Sequence, residues 1–218
     1  MKLLNIAAFE NTPLQQDPFE FLIARDLMSA EALAQVNRDY PVIDRPANYR
    51  PDEVRYGPAF GQLLDELESA DFQSAVERKF GVDLENTSRN LTVRKYSEAS
   101  DGNIHTDHWS KVVTVLMYFN REWPHEGGRL RLLRSRDDID DYAVETLPVG
   151  GTLLAFRRCN HSFHGYRRYE GERRMLQLNW VKSGGIARYA QQLARFGTRT
   201  GKRLLRAARG AQPGRERT

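Results

Sequence analysis

Near residue 90 the hydrophobic pattern of this chain changes period, and that change constrains its fold more than any other feature. Before it, apolar residues recur at helical spacing: Leu63, Leu64 and Leu67 form one stripe, and Phe72, Val76 and Phe80 form another, with Gly81 as a stop. Ser29 is placed to cap a helix running to Tyr40, which Pro41 ends. The stretch 41–58 contains four prolines and reads as loop. After residue 90 come eight short β-like runs, at 91–96, 103–109, 112–119, 129–134, 143–147, 152–157, 162–167 and 173–181. Asp101-Gly102, Gly127-Gly128 and Gly150-Gly151 supply turns between some of them. Eight short strands so punctuated predict a double-sheet jelly roll of the cupin kind. An immunoglobulin-type sandwich fits less well with leading helices and inward polar residues. The expected class is α+β, a double-stranded β-helix core with N-terminal helices packed on one sheet. Residues 1–90 are the helical support, 91–182 the core and 183–218 a basic C-terminal helix or tail.

Composition excludes some alternatives. With 40% hydrophobic and 10% aromatic residues, the chain can build a core and is not a disordered segment. No apolar run approaches the length of a membrane span. The lone cysteine, Cys159, forms neither an internal disulfide nor a cysteine zinc cluster, and it reads as a small buried hydrophobe. The opening MKLLNIAAFENTP turns polar too soon for a signal peptide, so the expected compartment is the cytoplasm. The net charge of +4 conceals an asymmetry. Residues 183–218 hold eight Arg, one Lys and one Glu, a net +8, which leaves residues 1–182 at −4. The basic stretch 186–209 suits weak contact with anionic membrane lipid or nucleic acid. The plainer reading is a helix covering the sandwich and then a ragged end.

All five histidines (105, 108, 125, 161 and 164) fall inside the predicted β region. In His105-Thr106-Asp107, residues i and i+2 of a strand share a face, so imidazole and carboxylate can grip one ion. His164, on the seventh run, would join them if the second and seventh strands pair. Two imidazoles and a carboxylate make the facial triad of non-haem iron oxygenases. His161 competes with His164 for the third position. His108 and His125 read as flanking the mouth or facing solvent. The acidic cluster Asp137, Asp138, Asp140 and Asp141 lacks the spacing of a calcium loop and reads as a solvated turn.

From Tyr96 to Val181 the order of elements resembles the Fe(II)- and 2-oxoglutarate-dependent oxygenases, particularly their prolyl-hydroxylase-like branch. The pieces are His105-Thr106-Asp107, the VVTVLMYFN strand with Tyr118 and Asn120, Gly127-Gly128-Arg129-Leu130, Pro148-Val149-Gly150-Gly151-Thr152, Ser162-Phe163-His164-Gly165, and Arg173-Arg174 before LQLNW. The resemblance covers residues 90–182 well and the helical part loosely. It implies Fe(II) held by His105, Asp107 and His164, with 2-oxoglutarate and O2 as cosubstrates and ascorbate as an accessory. It also implies an arginine near the start of the last strand for the far carboxylate of 2-oxoglutarate, a role suited to the planar guanidinium fork. Arg174 is preferred to Arg173 because it shares strand parity with Leu176, Leu178 and Trp180. Tyr96 and Tyr118 match cosubstrate-contacting tyrosines, a buried aromatic being the equal alternative, and Thr114 shares Tyr118's face. Since Asp107 is present where related halogenases lack a carboxylate, hydroxylation is expected, releasing succinate and CO2. The substrate would be a peptidyl proline or other side chain, a free amino acid or a small metabolite. The competing readings are a non-catalytic cupin-like binding module and a membrane or nucleic-acid adaptor acting through the tail.

Overall fold

A computed structural model describes residues 2–182. The basic stretch 186–209, and the whole of 183–218, lies outside the described residues. The elements run α1 (Ile6–Asn11), β1 (Phe21–Ala24), α2 (Ala30–Arg38), a 3-10 turn (Pro51–Glu53), α3 (Pro58–Leu67), α4 (Ala70–Phe80), β2 (Thr87–Ser97), β3 (Lys111–Tyr118), β4 (Leu130–Leu133), β5 (Tyr142–Thr146), β6 (Leu153–Arg157), β7 (His164–Gly165) and β8 (Gly171–Lys182). The helices begin where side-chain acceptors meet their free N–H groups. The Ser29 hydroxyl accepts from Ala32 at 3.1 Å, and that of Ser69 accepts from Phe72 at 3.2 Å. Gly81, at φ +60°, ends α4 in the left-handed conformation that costs glycine least.

The strands form a five-stranded sheet, ordered β1-β6-β3-β8-β2, and a three-stranded sheet, β5-β4-β7, with antiparallel pairing throughout. Two cores lie on the two faces of the large sheet. On one face Val113, Val115 and Met117 of β3 and Leu176, Leu178 and Trp180 of β8 pack against the helices. There Phe72 meets Trp180 with ring centres 6.3 Å apart. On the other face Leu116, Tyr118, Phe156 and Met175 meet Leu130 and Leu132 of the small sheet. The period-2 alternation of β3 and β8 therefore separates a helix-facing side from an intersheet side. This is the double-stranded β-helix with helices on one sheet that the sequence predicts.

Two expectations are corrected. The N-terminal part is not wholly helical, because β1 pairs with β6 from Phe21↔Phe156 to Ala24↔Leu153 and edges the large sheet. Its four residues are too short a run to display a period. The predicted strand at 103–109 reduces to one bridging residue, His105, paired antiparallel with His164. Among the described residues no helix is long and apolar enough to cross a membrane.

Candidate metal centre and its cavity

The segment that follows β2 is laid against β7 by backbone bonds. Tyr166 N–H donates to Gly102 O at 2.9 Å, His105 N–H to His164 O at 3.0 Å, and His164 N–H to His105 O at 2.9 Å. The approach needs small residues. A Cβ on Gly102, already at φ +88°, would sit 2.5 Å from Tyr166 O, and one on Gly165 would sit 2.8 Å from Gly102 O. This close docking brings the His105 and His164 rings to 4.3 Å between centres.

His105, Asp107 and His164 each turn one ligand atom inward, all within 4.8 Å of one another. The Nδ1 of His105 lies 2.8 Å from Asn103 O, and that of His164 lies 3.0 Å from Ser162 O. A carbonyl only accepts, so Nδ1 carries the hydrogen in both rings and Nε2 keeps its lone pair for an ion. Burial, reinforced by neighbouring His105, lowers His164 from 6.5 to about 4, so it is neutral at physiological pH. For Asp107, burial pushes the pKa up. Lys111, His164 and the Thr114 hydroxyl outweigh it and hold the carboxyl well below the usual carboxylate range. The Lys111 ammonium is 2.6 Å from Asp107 Oδ1, and the Thr114 hydroxyl donates to Oδ2 at 2.5 Å. Two imidazoles and a carboxylate, with no sulfur donor, are a donor set that fits Fe(II).

These residues line a cavity of about 200 Å³ between the sheets. Leu116, Leu130 and Met175 give it apolar walls, while Arg94, Gln177 and Asn48 add polar ones. Arg173 also lines it and is only 2% exposed. Its Nε donates to Gly128 O at 2.7 Å, and its guanidinium lies 4.5 Å from the Tyr166 ring centre and 5.2 Å from that of Tyr118. Among the described residues it has no carboxylate partner. A buried cation held by aromatic faces, one carbonyl and the Met175 sulfur, and free of any carboxylate partner in this cavity among the described residues, has the charge to pair with an anion. A wider concavity of about 420 Å³, beside Gly81–Thr87 and Lys182, contains none of the five histidines.

Of the residues singled out from sequence, His105, Asp107, His164 and Thr114 meet in this cavity. Tyr118 is fully buried with its hydroxyl 3.5 Å from Arg173 Nη2, and burial raises its pKa. His161 is exposed and stands outside the cluster. Cys159 packs, partly buried, beside the intersheet core. Two placements are corrected. Arg174 faces the helices, where it bonds Glu172 at 2.5 Å and lies 5.2 Å from the Tyr40 ring centre. Its parity partners Leu176, Leu178 and Trp180 belong to the helix-side core, so parity with them marks the wrong face. Tyr96 also packs on the helix side, because the pairing of β2 with β8 shifts register between Arg94 and Tyr96, and Arg94 takes the cavity wall instead. Sequence reasoning missed Lys111 and Arg94. The signal for Lys111 was a lysine opening an otherwise apolar strand, KVVTVLMYF, four residues after Asp107.

Comparison with known proteins gives a family match and several likenesses of fold. Residues 91–182 match the family described as the 2OG-Fe(II) oxygenase superfamily, which uses Fe(II), 2-oxoglutarate and O2. No curated protein matches the chain. The fold is similar to a Pseudomonas putida prolyl-4-hydroxylase, at 18% identity and TM-score 0.53, over 82% of this chain and 91% of that one. It is similar to an oxidoreductase of the 2OG-Fe(II) oxygenase family from Burkholderia pseudomallei, at 15% identity and TM-score 0.55, over 81% and 91%. A third likeness is to a Trichoplax adhaerens prolyl hydroxylase, solved with a hypoxia inducible factor peptide fragment, at 16% identity and TM-score 0.52, over 84% and 91%. Residues 91–182 thus match the model of the 2OG-Fe(II) oxygenase superfamily, and the same stretch brings two histidines and an aspartate together on a double-stranded β-helix.

Proposed function

We propose that this protein is an Fe(II)- and 2-oxoglutarate-dependent hydroxylase, with His105, Asp107 and His164 as metal ligands and Arg173 as the anchor for the far carboxylate of 2-oxoglutarate. The observation that carries this is one cavity lined both by a ligand triad and by a buried guanidinium lacking a carboxylate partner among the described residues. Bound together, Fe(II) and 2-oxoglutarate would supply O2 activation coupled to loss of succinate and CO2, with one oxygen atom passing to a substrate C–H bond.

The chain's own residues bind, orient and shield. Asn103 and Ser162 carbonyls set the two imidazole tautomers, and Lys111 and Thr114 hold the Asp107 carboxylate. Tyr166 and Tyr118 hold the Arg173 guanidinium, while Leu116, Leu130 and Met175 exclude water from the path between triad and arginine. His105 is the exposed member of the triad, so substrate approaches from its side. Asp107 fills the position that a halide would need, which favours hydroxylation. The substrate is a peptidyl proline or other side chain, a free amino acid or a small metabolite.

Anaerobic addition of Fe(II) and 2-oxoglutarate to folded protein should produce the weak visible charge-transfer band of the chelate. Asp107→Ala should lose that band and abolish succinate formation while keeping the far-ultraviolet spectrum. Undiminished turnover in that variant would reject the triad. Screening peptides, amino acids and extracts for a mass gain of one oxygen would then identify the substrate.

A further inference from the structure

Lys111 is a buried cation inside the ligand cluster, and resting on the reading above, we infer that it sets the charge of the metal centre, trading affinity for the divalent ion against affinity for the anionic keto acid. Its side chain is 4% exposed and its Nζ lies 2.6 Å from Asp107 Oδ1, where Asp107 is itself 7% exposed. The other carboxylate oxygen, Oδ2, accepts from the Thr114 hydroxyl at 2.5 Å. An imidazole that binds a cation does so through a nitrogen lone pair and carries no charge of its own, so two imidazole ligands and one carboxylate present −1 to the ion. With the ammonium in the same shell the sum is zero. Charges a few ångströms apart in a dry site interact far more strongly than in water, so this difference is felt by any ion that binds.

The consequence has opposite signs for the two ligands. A divalent ion approaching a neutral cluster is held less tightly than one approaching a negative cluster. Once the ion is bound, the cluster carries +2 with Lys111 and +1 without it, so an anion joining the ion is held more tightly with Lys111 present. Among the described residues, the other charges lining the cavity are the same with and without Lys111. Arg94 is paired with Asp101, and Arg173 stands among tyrosines. Lys111 is thus a positioning and charge-setting residue that acts through Asp107.

Co(II) titration of purified full-length protein, followed by its d–d absorption, reads the first affinity. Titration of 2-oxoglutarate into the Co(II)-loaded protein reads the second. Lys111→Met should tighten Co(II) binding and weaken 2-oxoglutarate binding, each on the order of tenfold, the scale on which neighbours of ligands tune a metal site. Lys111→Gln should shift both in the same opposite directions, and it serves if the methionine variant fails to fold. Lys111→Arg, which keeps the charge, should leave both near wild type. A structural defect would weaken both ligands together; that result, or no shift in either, would overturn the inference. Absent Co(II) binding in the wild-type protein, or unchanged binding in Asp107→Ala, would instead overturn the triad itself.

Discussion

Arg173 and Arg174 are neighbours in the chain and occupy opposite sides of one strand. Arg173 is buried between tyrosines in the cavity, while Arg174 is partly solvated and already paired with Glu172. Removing one partner of a buried charge pair costs about 2–5 kcal/mol, whereas a partly exposed pair such as Arg174–Glu172 contributes roughly 0–1 kcal/mol. Arg173→Met should therefore raise the dissociation constant for 2-oxoglutarate by at least about thirtyfold, given that roughly 1.4 kcal/mol is tenfold. Arg174→Met should change it less than about fivefold. Calorimetric titration of the metal-loaded variants checks this, and equal effects would remove Arg173 from its role. The arginine pair was legible in the sequence, and so was the need to choose between them. The choice itself depended on which face of β8 looks at the small sheet. Apolar residues on the Arg174 side do not reveal whether they face a cavity or a helix.

At the scale of elements, the site depends on how closely the segment before His105 lies on β7. Gly165 has Gly102 O and Ile139 Cδ1 beside its Cα, at 2.8 Å and 3.2 Å from where a Cβ would stand. Gly165→Ala should push the two backbones apart and displace His105 from His164. We expect at least a tenfold loss of Co(II) affinity with a smaller change in melting temperature, measured on the same preparation. The helical layer has a different task. Phe72 of α4 is buried against Trp180 and Phe9. Phe72→Ala should destabilise the protein by about 3–5 kcal/mol in a denaturant titration, through lost burial and the cavity left behind. The stripes of α3 and α4 were readable because they repeat a helical period, and Ser29 marks the start of α2. Neither the four residues of β1 nor the single bridging residue His105 repeats anything often enough to be read.

For the whole molecule, pH links the site to stability. Burial and His105 hold His164 near 4 in the folded protein, against 6.5 for a free imidazole. Between those values the unfolded chain binds more protons than the folded one, so acid favours unfolding. Metal-free protein should keep this contribution above about pH 6.5 and lose it as pH falls toward 4, and His164→Gln should flatten that part of the profile. Asp107, held below its ordinary 3.8, gives a contribution that survives until pH falls through the carboxylate range, so the two losses occur in separate windows. Denaturation midpoints measured with a chelator from pH 7.5 to 4.5 test the histidine window; a flat wild-type profile would contradict it. Periodicity and turn chemistry, being local, were enough to determine α2, α3 and α4 but not the short α1, together with most of the strands, the jelly roll and the His-x-Asp pair. What joined His164 to that pair, turned Arg173 toward the cavity and Tyr96 toward the helices, and put Lys111 against Asp107 was the packing of two sheets. Those relations depend on register and on which face is covered, properties that exist only once segments far apart in the chain have met.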